Sequence, residues 1–322
     1  MRAVNPNGVM FAGALAVLTG AAAGCKPDLG SPASLLIGPR VLAVRGVPAE
    51  APPGSMVTFD ALAADPTGTI ADPGLSWSFC STPKPPAETN AVSVPCLTTP
   101  DDAGPAATFT GMLPSDGCMK FGPDSPGGMP PIRPRDPDAT GGFYQPLRVT
   151  LQIADGTDAD VAFELQRISC LIANAPINVT RTFNMTYTAN QNPSIDHVTL
   201  DPDQAGTTVF GADSVPGGTS VAAGTKTTLE LTWPDAAAES YPVWDLASRT
   251  LATHRESLRV SWFASAGNFA LDNTGRGEDE TETFARNDWT APTAPGNVHF
   301  WVVLRDARGG LDFGAFDLTV AP

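Results

Sequence analysis

The sequence predicts an all-β protein built as two successive sandwiches, and three observations carry that prediction. With 32 prolines and 31 glycines in 322 residues, long helices are disfavoured, because proline lacks a backbone donor and glycine loses the most entropy on ordering. Apolar residues alternate with polar ones through short runs bounded by turn-forming residues, the pattern of half-buried strands. The same theme, a Ser-Trp strand followed by a closing hairpin, occurs once in each half of the chain.

Ahead of the strands, Arg2 precedes an apolar segment over residues 9–18, and small residues follow up to Ala22-Ala23-Gly24-Cys25. A charged start, an apolar segment of ~7–15 residues and small residues at the cut make a secretory signal. The segment resembles the signals of bacterial lipoproteins, which are cut before a lipid-modified cysteine, although Ala22 stands where that family usually has leucine. The resemblance implies that residues 1–24 are removed and that Cys25 carries acyl chains, making the membrane a partner through lipid alone. It also implies the outer membrane, since Lys26 replaces the aspartate that favours inner-membrane retention. Residues 25–39, small and polar with Pro27, Gly30 and Pro32, are expected to form a flexible tether because they offer little apolar area to bury.

The first half, residues 40–190, opens with strand-like runs at 41–47 and 55–61, where Val57 and Phe59 alternate with Thr58 and Asp60. Leu75, Trp77 and Phe79 follow on one face of a strand. Leu147, Val149, Leu151 and Ile153 then lead into Asp155-Gly156, and Val161, Phe163 and Leu165 resume the alternation. Two alternating runs around Asp-Gly predict a hairpin. The second half, residues 191–322, repeats the scheme with Leu229, Leu231 and Trp233, then Leu258, Val260 and Trp262, then Val298, Phe300, Val302 and Leu304 running into Asp306-Ala307-Arg308-Gly309-Gly310. In the last strand the apolar phase changes between Phe313 and Phe316, which predicts a bulge at Gly314.

This layout resembles tandem immunoglobulin-like sandwiches, in which a tryptophan on a central strand packs between two sheets; Trp77 and Trp262 would hold that place. More narrowly the chain resembles uncharacterised Gram-negative lipoproteins of acidic, Pro-rich, two-domain β architecture, a kinship that implies no activity. The stretch from Trp77 to Asp155 is far longer than that from Trp262 to Asp306, and the excess falls in a Pro- and Cys-rich insertion at residues 81–143. With Cys25 acylated, Cys80, Cys96, Cys118 and Cys170 remain, an even number in an exported chain and hence a disulfide framework. Of three pairings, Cys80 with Cys96 and Cys118 with Cys170 is favoured, because the first ties the start of the insertion to the end of a strand.

The formal net charge of −15 repels phosphate backbones, so nucleic acid is not expected as a partner. Asp201-Pro202-Asp203 begins like a calcium loop, but Ala205 lacks a side-chain oxygen and Ala212 stands where a closing glutamate belongs. The run Glu278-Asp279-Glu280 with Glu282 reads as a solvated edge loop rather than a metal site. No cofactor is expected. His197, His254 and His299 are the only histidines, and no nucleophile elbow or metalloprotease motif occurs, so catalysis is not expected. Candidate ligand contacts are Phe143 and Tyr144 in a loop over residues 141–146, with Tyr241 and Trp244 in the second half; alternatively these aromatics roof the cores. The expected task is structural, adhesive or protein-interacting, through another envelope protein. The alternative is a carbohydrate-binding module engaging a surface polysaccharide, and a hydrolase with unrecognised carboxylates stands third.

Overall fold

Trp77 and Trp262 are both fully enclosed, and each lies on an interior strand of a five-stranded sheet. The computed structural model describes residues 31–83, 92–98, 101–121, 139–152, 158–170, 172, 175–215 and 219–322. Residues 1–30, which include Cys25, lie outside that set, as does the Asp155-Gly156 turn.

In the first half the strands are β1 (Arg40–Val47), β2 (Glu50–Ala51), β3 (Met56–Asp65), β4 (Gly68–Thr69), β5 (Gly74–Phe79), β6 (Asp101–Pro105), β7 (Phe109–Met112), β8 (Gly142–Gln152) and β9 (Asp158–Ser169). One sheet runs β1-β3-β4 with β7 also beside β3, and the other runs β2-β9-β8-β5-β6. Short helices α1 (Val94–Thr98) and α2 (Gly117–Phe121) lie between these strands, and α3 (Ile177–Thr186) leads to the second half. There the strands are β10 (His197–Leu200), β11 (Thr207–Phe210), β12 (Thr219–Ala222), β13 (Lys226–Thr232), β14 (Ser240–Asp245), β15 (Thr250–Arg255), β16 (Leu258–Ala264), β17 (Asn268–Phe269), β18 (Asn273–Arg276), β19 (Phe284–Thr290), β20 (Gly296–Asp306) and β21 (Leu311–Ala321). Their sheets run β11-β10-β13-β19-β17 and β12-β21-β20-β16-β18, and β14 pairs with β15 alone.

In both halves a short early strand runs parallel to the closing strand, β2 beside β9 and β12 beside β21, the second of these following the β10–β11 hairpin. In the second half β10-β13-β19-β17 faces β16-β20-β21, the two-sheet arrangement of immunoglobulin-like sandwiches. Inward alternation supplies each core. Phe59, Trp77 and Leu147 fill the first, and Trp262, Trp289 and Phe300 fill the second. Ring contacts fix their geometry, with Trp77 against Phe109 at 6.0 Å and Trp289 edge-on to Phe300 at 4.8 Å.

A third core lies between the sandwiches. Leu42, Ala43, Leu62 and Ala64 on the outer face of β1 and β3 pack against Trp301, Val303 and Leu311 on the outer face of β20 and β21. The two sandwiches therefore lie face against face. Burial on both faces explains why residues 300–304 read as a continuous apolar run rather than an alternation. In β1 a register shift between Val41 and Ala43 achieves the same result.

Four sequence expectations are corrected by this arrangement. No bulge occurs at Gly314: β20 and β21 pair in constant register, with Val302 opposite Gly314. The apolar phase changes because Leu311 and Phe313 face the first sandwich while Phe316, Leu318 and Val320 face their own core. A Cβ at 314 would meet the Phe210 ring, which packs over this glycine. Leu35 and Leu36, expected in the flexible tether of residues 25–39, are part of the packed body, since Leu36 is sealed in the inter-sandwich core and Leu35 bridges to Ala264. Residues 81–143 are more than an inserted loop: β6 extends one sheet, β7 extends the other, and the carbonyl of Ala106 accepts the Trp77 indole N–H at 2.7 Å. Finally, residues 142–146, expected as loop, form the start of β8.

Candidate functional site

The most densely charged buried region is the polar junction where β2, β8, β9, α3, the β14–β15 hairpin and the β20–β21 turn converge. β2 places Glu50 there and β9 places Arg167, each almost completely buried. Arg167 Nε donates to Glu50 Oε2 at 3.0 Å, Nη1 to the Tyr144 hydroxyl at 3.1 Å, and Nη2 to the carbonyl of Thr140 at 3.0 Å. The other donors to Glu50 are Ser169 Oγ at 2.9 Å, the backbone N–H of Asn190 at 2.8 Å and the Tyr187 hydroxyl. A buried carboxylate supplied with donors on both oxygens is the condition under which a buried ion pair is tolerated. Gly142 makes room for it, since a Cβ at that position would collide with the Arg167 guanidinium. Burial disfavours the charged form of Arg167, but the neighbouring Glu50 carboxylate and the tyrosine hydroxyls outweigh it and hold the guanidinium above its ordinary value. Burial pushes the Tyr187 hydroxyl up.

Arg308, in the turn after β20, is the second centre. Its Nε donates to Glu256 Oε1 at 2.6 Å, Nη2 to Glu239 Oε2 at 2.8 Å and Nη1 to the carbonyl of Thr188 at 3.1 Å. Its guanidinium stands 4.6 Å from the centre of the Tyr241 ring. Asp306 accepts from the backbone N–H groups of Arg308 and Gly310 at 2.8 and 2.9 Å, and from Asn190 Nδ2. Tyr144 joins the two centres, donating to the carbonyl of Arg308 at 3.2 Å. Burial raises Glu256 to about 7, aided by the charge of Asp306, and burial raises Asp306 to about 6.

Of the candidate ligand contacts, Tyr144 and Tyr241 are brought together around Arg308 as structural donors and platforms. Trp244 is 2% exposed and packs with Ile172 and Phe183 beside α3, so it offers no free face to a ligand. Phe143 lies partly buried against the first core. The structure joins Cys80 to Cys96 and Cys118 to Cys170. Each histidine sits beside an acid: His197 with Asp196, His254 with Glu278 and His299 with Asp317. Among the described residues no group of three or more metal-ligating side chains is gathered. Sequence reading missed Glu50, Arg167, Asn190, Glu256 and Asp306 as a set. Glu50 and Arg167 carry a faint local signal, a charge between two buried neighbours, whereas Asn190, Glu256 and Asp306 stand beside partly or fully exposed residues and carry none.

The fold defines the class of protein as all-β with immunoglobulin-like sandwiches. No protein-family model matches the chain, and no curated protein matches it. Solved structures give weak likenesses. The adhesin InvE of Yersinia pseudotuberculosis is 10% identical with a TM-score of 0.20, over 91% of this chain and 62% of that one. The Escherichia coli adhesin FdeC is 16% identical with a TM-score of 0.18, over 87% and 64%. The C-terminal domain of Streptococcus agalactiae BspA is 8% identical with a TM-score of 0.23, over 88% and 99%. The chain thus spans less than two thirds of the length of both adhesins.

Proposed function

We propose that this chain is an exported, lipid-anchored envelope protein that works by display and contact, in an adhesive or protein-interacting role. The observation that carries the reading is the face-to-face locking of two sandwiches into one body. Leu35 pairs beside Ala264 at the end of β16, whereas the β14–β15 hairpin precedes the start of that strand, roughly 20 Å away at ~3.3 Å per residue. An acylated Cys25 would anchor the chain to the bilayer. Two or more acyl chains make such an anchor stable, and Lys26 supports the outer membrane as its site. The buried carboxylates and arginines serve the joint between the sandwiches, which supports a structural use of the charged groups rather than chemistry.

Labelling with an alkyne fatty acid is expected to mark the wild type and not Cys25→Ser, with the variant released from the membrane fraction. An unlabelled wild type removes the anchor. A photo-crosslinking residue at Leu246, exposed between β14 and β15, is expected to capture an envelope protein in intact cells. Absence of adducts there, and at exposed Met56 and Leu271, removes the contact role.

A further inference from the structure

We propose that the junction is a proton-operated clasp, which locks the two sandwiches when Glu256 and Asp306, beside Arg308, hold protons and loosens when those protons are lost. The geometry sets Glu256 and the partly exposed Glu239 against the guanidinium of Arg308, with the buried Asp306 on the backbone N–H of the same residue. Full ionisation leaves two surplus negative charges there, and uncompensated buried charge is strongly unfavourable.

Among the described residues, the neighbours do not supply the missing positive charge. From the first sandwich Arg167 faces Glu50 and is balanced by it, with the Tyr144 hydroxyl between the two centres. Just past α3 comes the neutral Tyr187, and from the hairpin Tyr241, whose ring lies beside that of His254 and whose hydroxyl Glu278 influences. Arg255 is engaged by Asp235 and the carbonyl of Glu280, and Arg305 by Glu164. Protons are therefore the available compensation. Asn190 is suited to a protonated Asp306: its amide nitrogen now faces that carboxyl, and its amide oxygen, an acceptor for the acid's O–H, is buried without a partner among the described residues. Because an amide can present either end to a carboxyl, Asn190 serves both the charged and the protonated Asp306.

The elements that would loosen are those the cluster ties. Across the halves the Tyr144 hydroxyl donates to the carbonyl of Arg308, Arg308 Nη1 to the carbonyl of Thr188 and Asn190 Nδ2 to Asp306, and beside these bonds Gln191 N–H donates to Glu239, Gly310 N–H to Asp306 and Glu239 N–H to Glu256. The raised values of about 7 for Glu256 and about 6 for Asp306, against ordinary values of 4.5 and 3.8, mean that the folded protein holds these protons more tightly than the unfolded chain. Stability from this source is complete below about pH 4 and is lost as pH rises through 6 and 7.

The test is thermal unfolding of the whole mature protein from pH 5.5 to 8.5 at fixed salt, paired with amide exchange corrected for its intrinsic pH dependence. The wild-type midpoint is expected to fall by roughly 3–6 °C across that range. The amides of Gln191, Glu239 and Gly310 are expected to lose at least about tenfold more protection than those of Val260 and Val302. Glu256→Gln, which mimics the protonated acid, is expected to remove half or more of the fall, while His254→Asn leaves it. Should Glu256→Gln fail to fold, Asp306→Asn reads the same slope. A wild-type slope retained in the carboxamide variants, a flat wild-type profile, or junction amides that stay protected at pH 8.5 would overturn the clasp.

Discussion

Gly314 shows how a single atom decides a strand's neighbour: without a Cβ it admits the Phe210 ring of the opposite sheet. Gly314→Ala is expected to cost about 1–3 kcal/mol through overpacking, measured by denaturant unfolding, and to cost clearly less in a Phe210→Ala background. Equal costs in the two backgrounds would show that the ring is not the obstacle. At Arg167 the relevant quantity is what is left behind. Arg167→Met strands Glu50 in a closed space and is expected to destabilise by about 3–5 kcal/mol. Adding Glu50→Gln should recover part of that loss, and no recovery would refute the pairing as its source.

Among the elements, β6 and β7 complete sheets whose other strands are far away in sequence, and disulfides hold both flanks of the segment that carries them. Cys80 is joined to Cys96 over 16 positions, and Cys118 to Cys170 over 52. In the chain-entropy model a loop of the second size is worth about 4 kcal/mol. Replacing Cys118 and Cys170 with serine should lower the unfolding free energy by up to that amount. Intact mass with and without reductant checks the bonds themselves, and four free thiols in the exported protein would exclude them. Proline content, cysteine number and alternation made this region conspicuous in the sequence. Its strands were not legible, because β7 has a free-standing pattern of only Phe109 to Met112 and gains its identity from pairing with β3.

For the molecule as a whole, the inter-sandwich core and the polar junction couple the two halves. Trp301, Val303 and Leu311 would be exposed if the sandwiches separated, and burial of each large apolar side chain contributes roughly 1.5–3 kcal/mol. Calorimetry of the whole protein is expected to give one cooperative transition, and Trp301→Ala to lower its midpoint while keeping it single. Two resolved transitions in the wild type would mean that the halves are energetically independent.

The sequence by itself determined the all-β class, the repeated tryptophan strands and the closing hairpins, because two-residue periodicity and turn chemistry are local properties of the chain. Only the tertiary structure decided which outer faces meet. Leu42, Leu62 and Trp301 each look like an excess apolar residue on a strand, and nothing local tells which surface will cover them. The junction was hidden for the same reason. Glu50, Arg167, Asn190, Glu256 and Arg308 are scattered over more than two hundred positions, and a charge becomes a buried ion pair only when distant segments close around it.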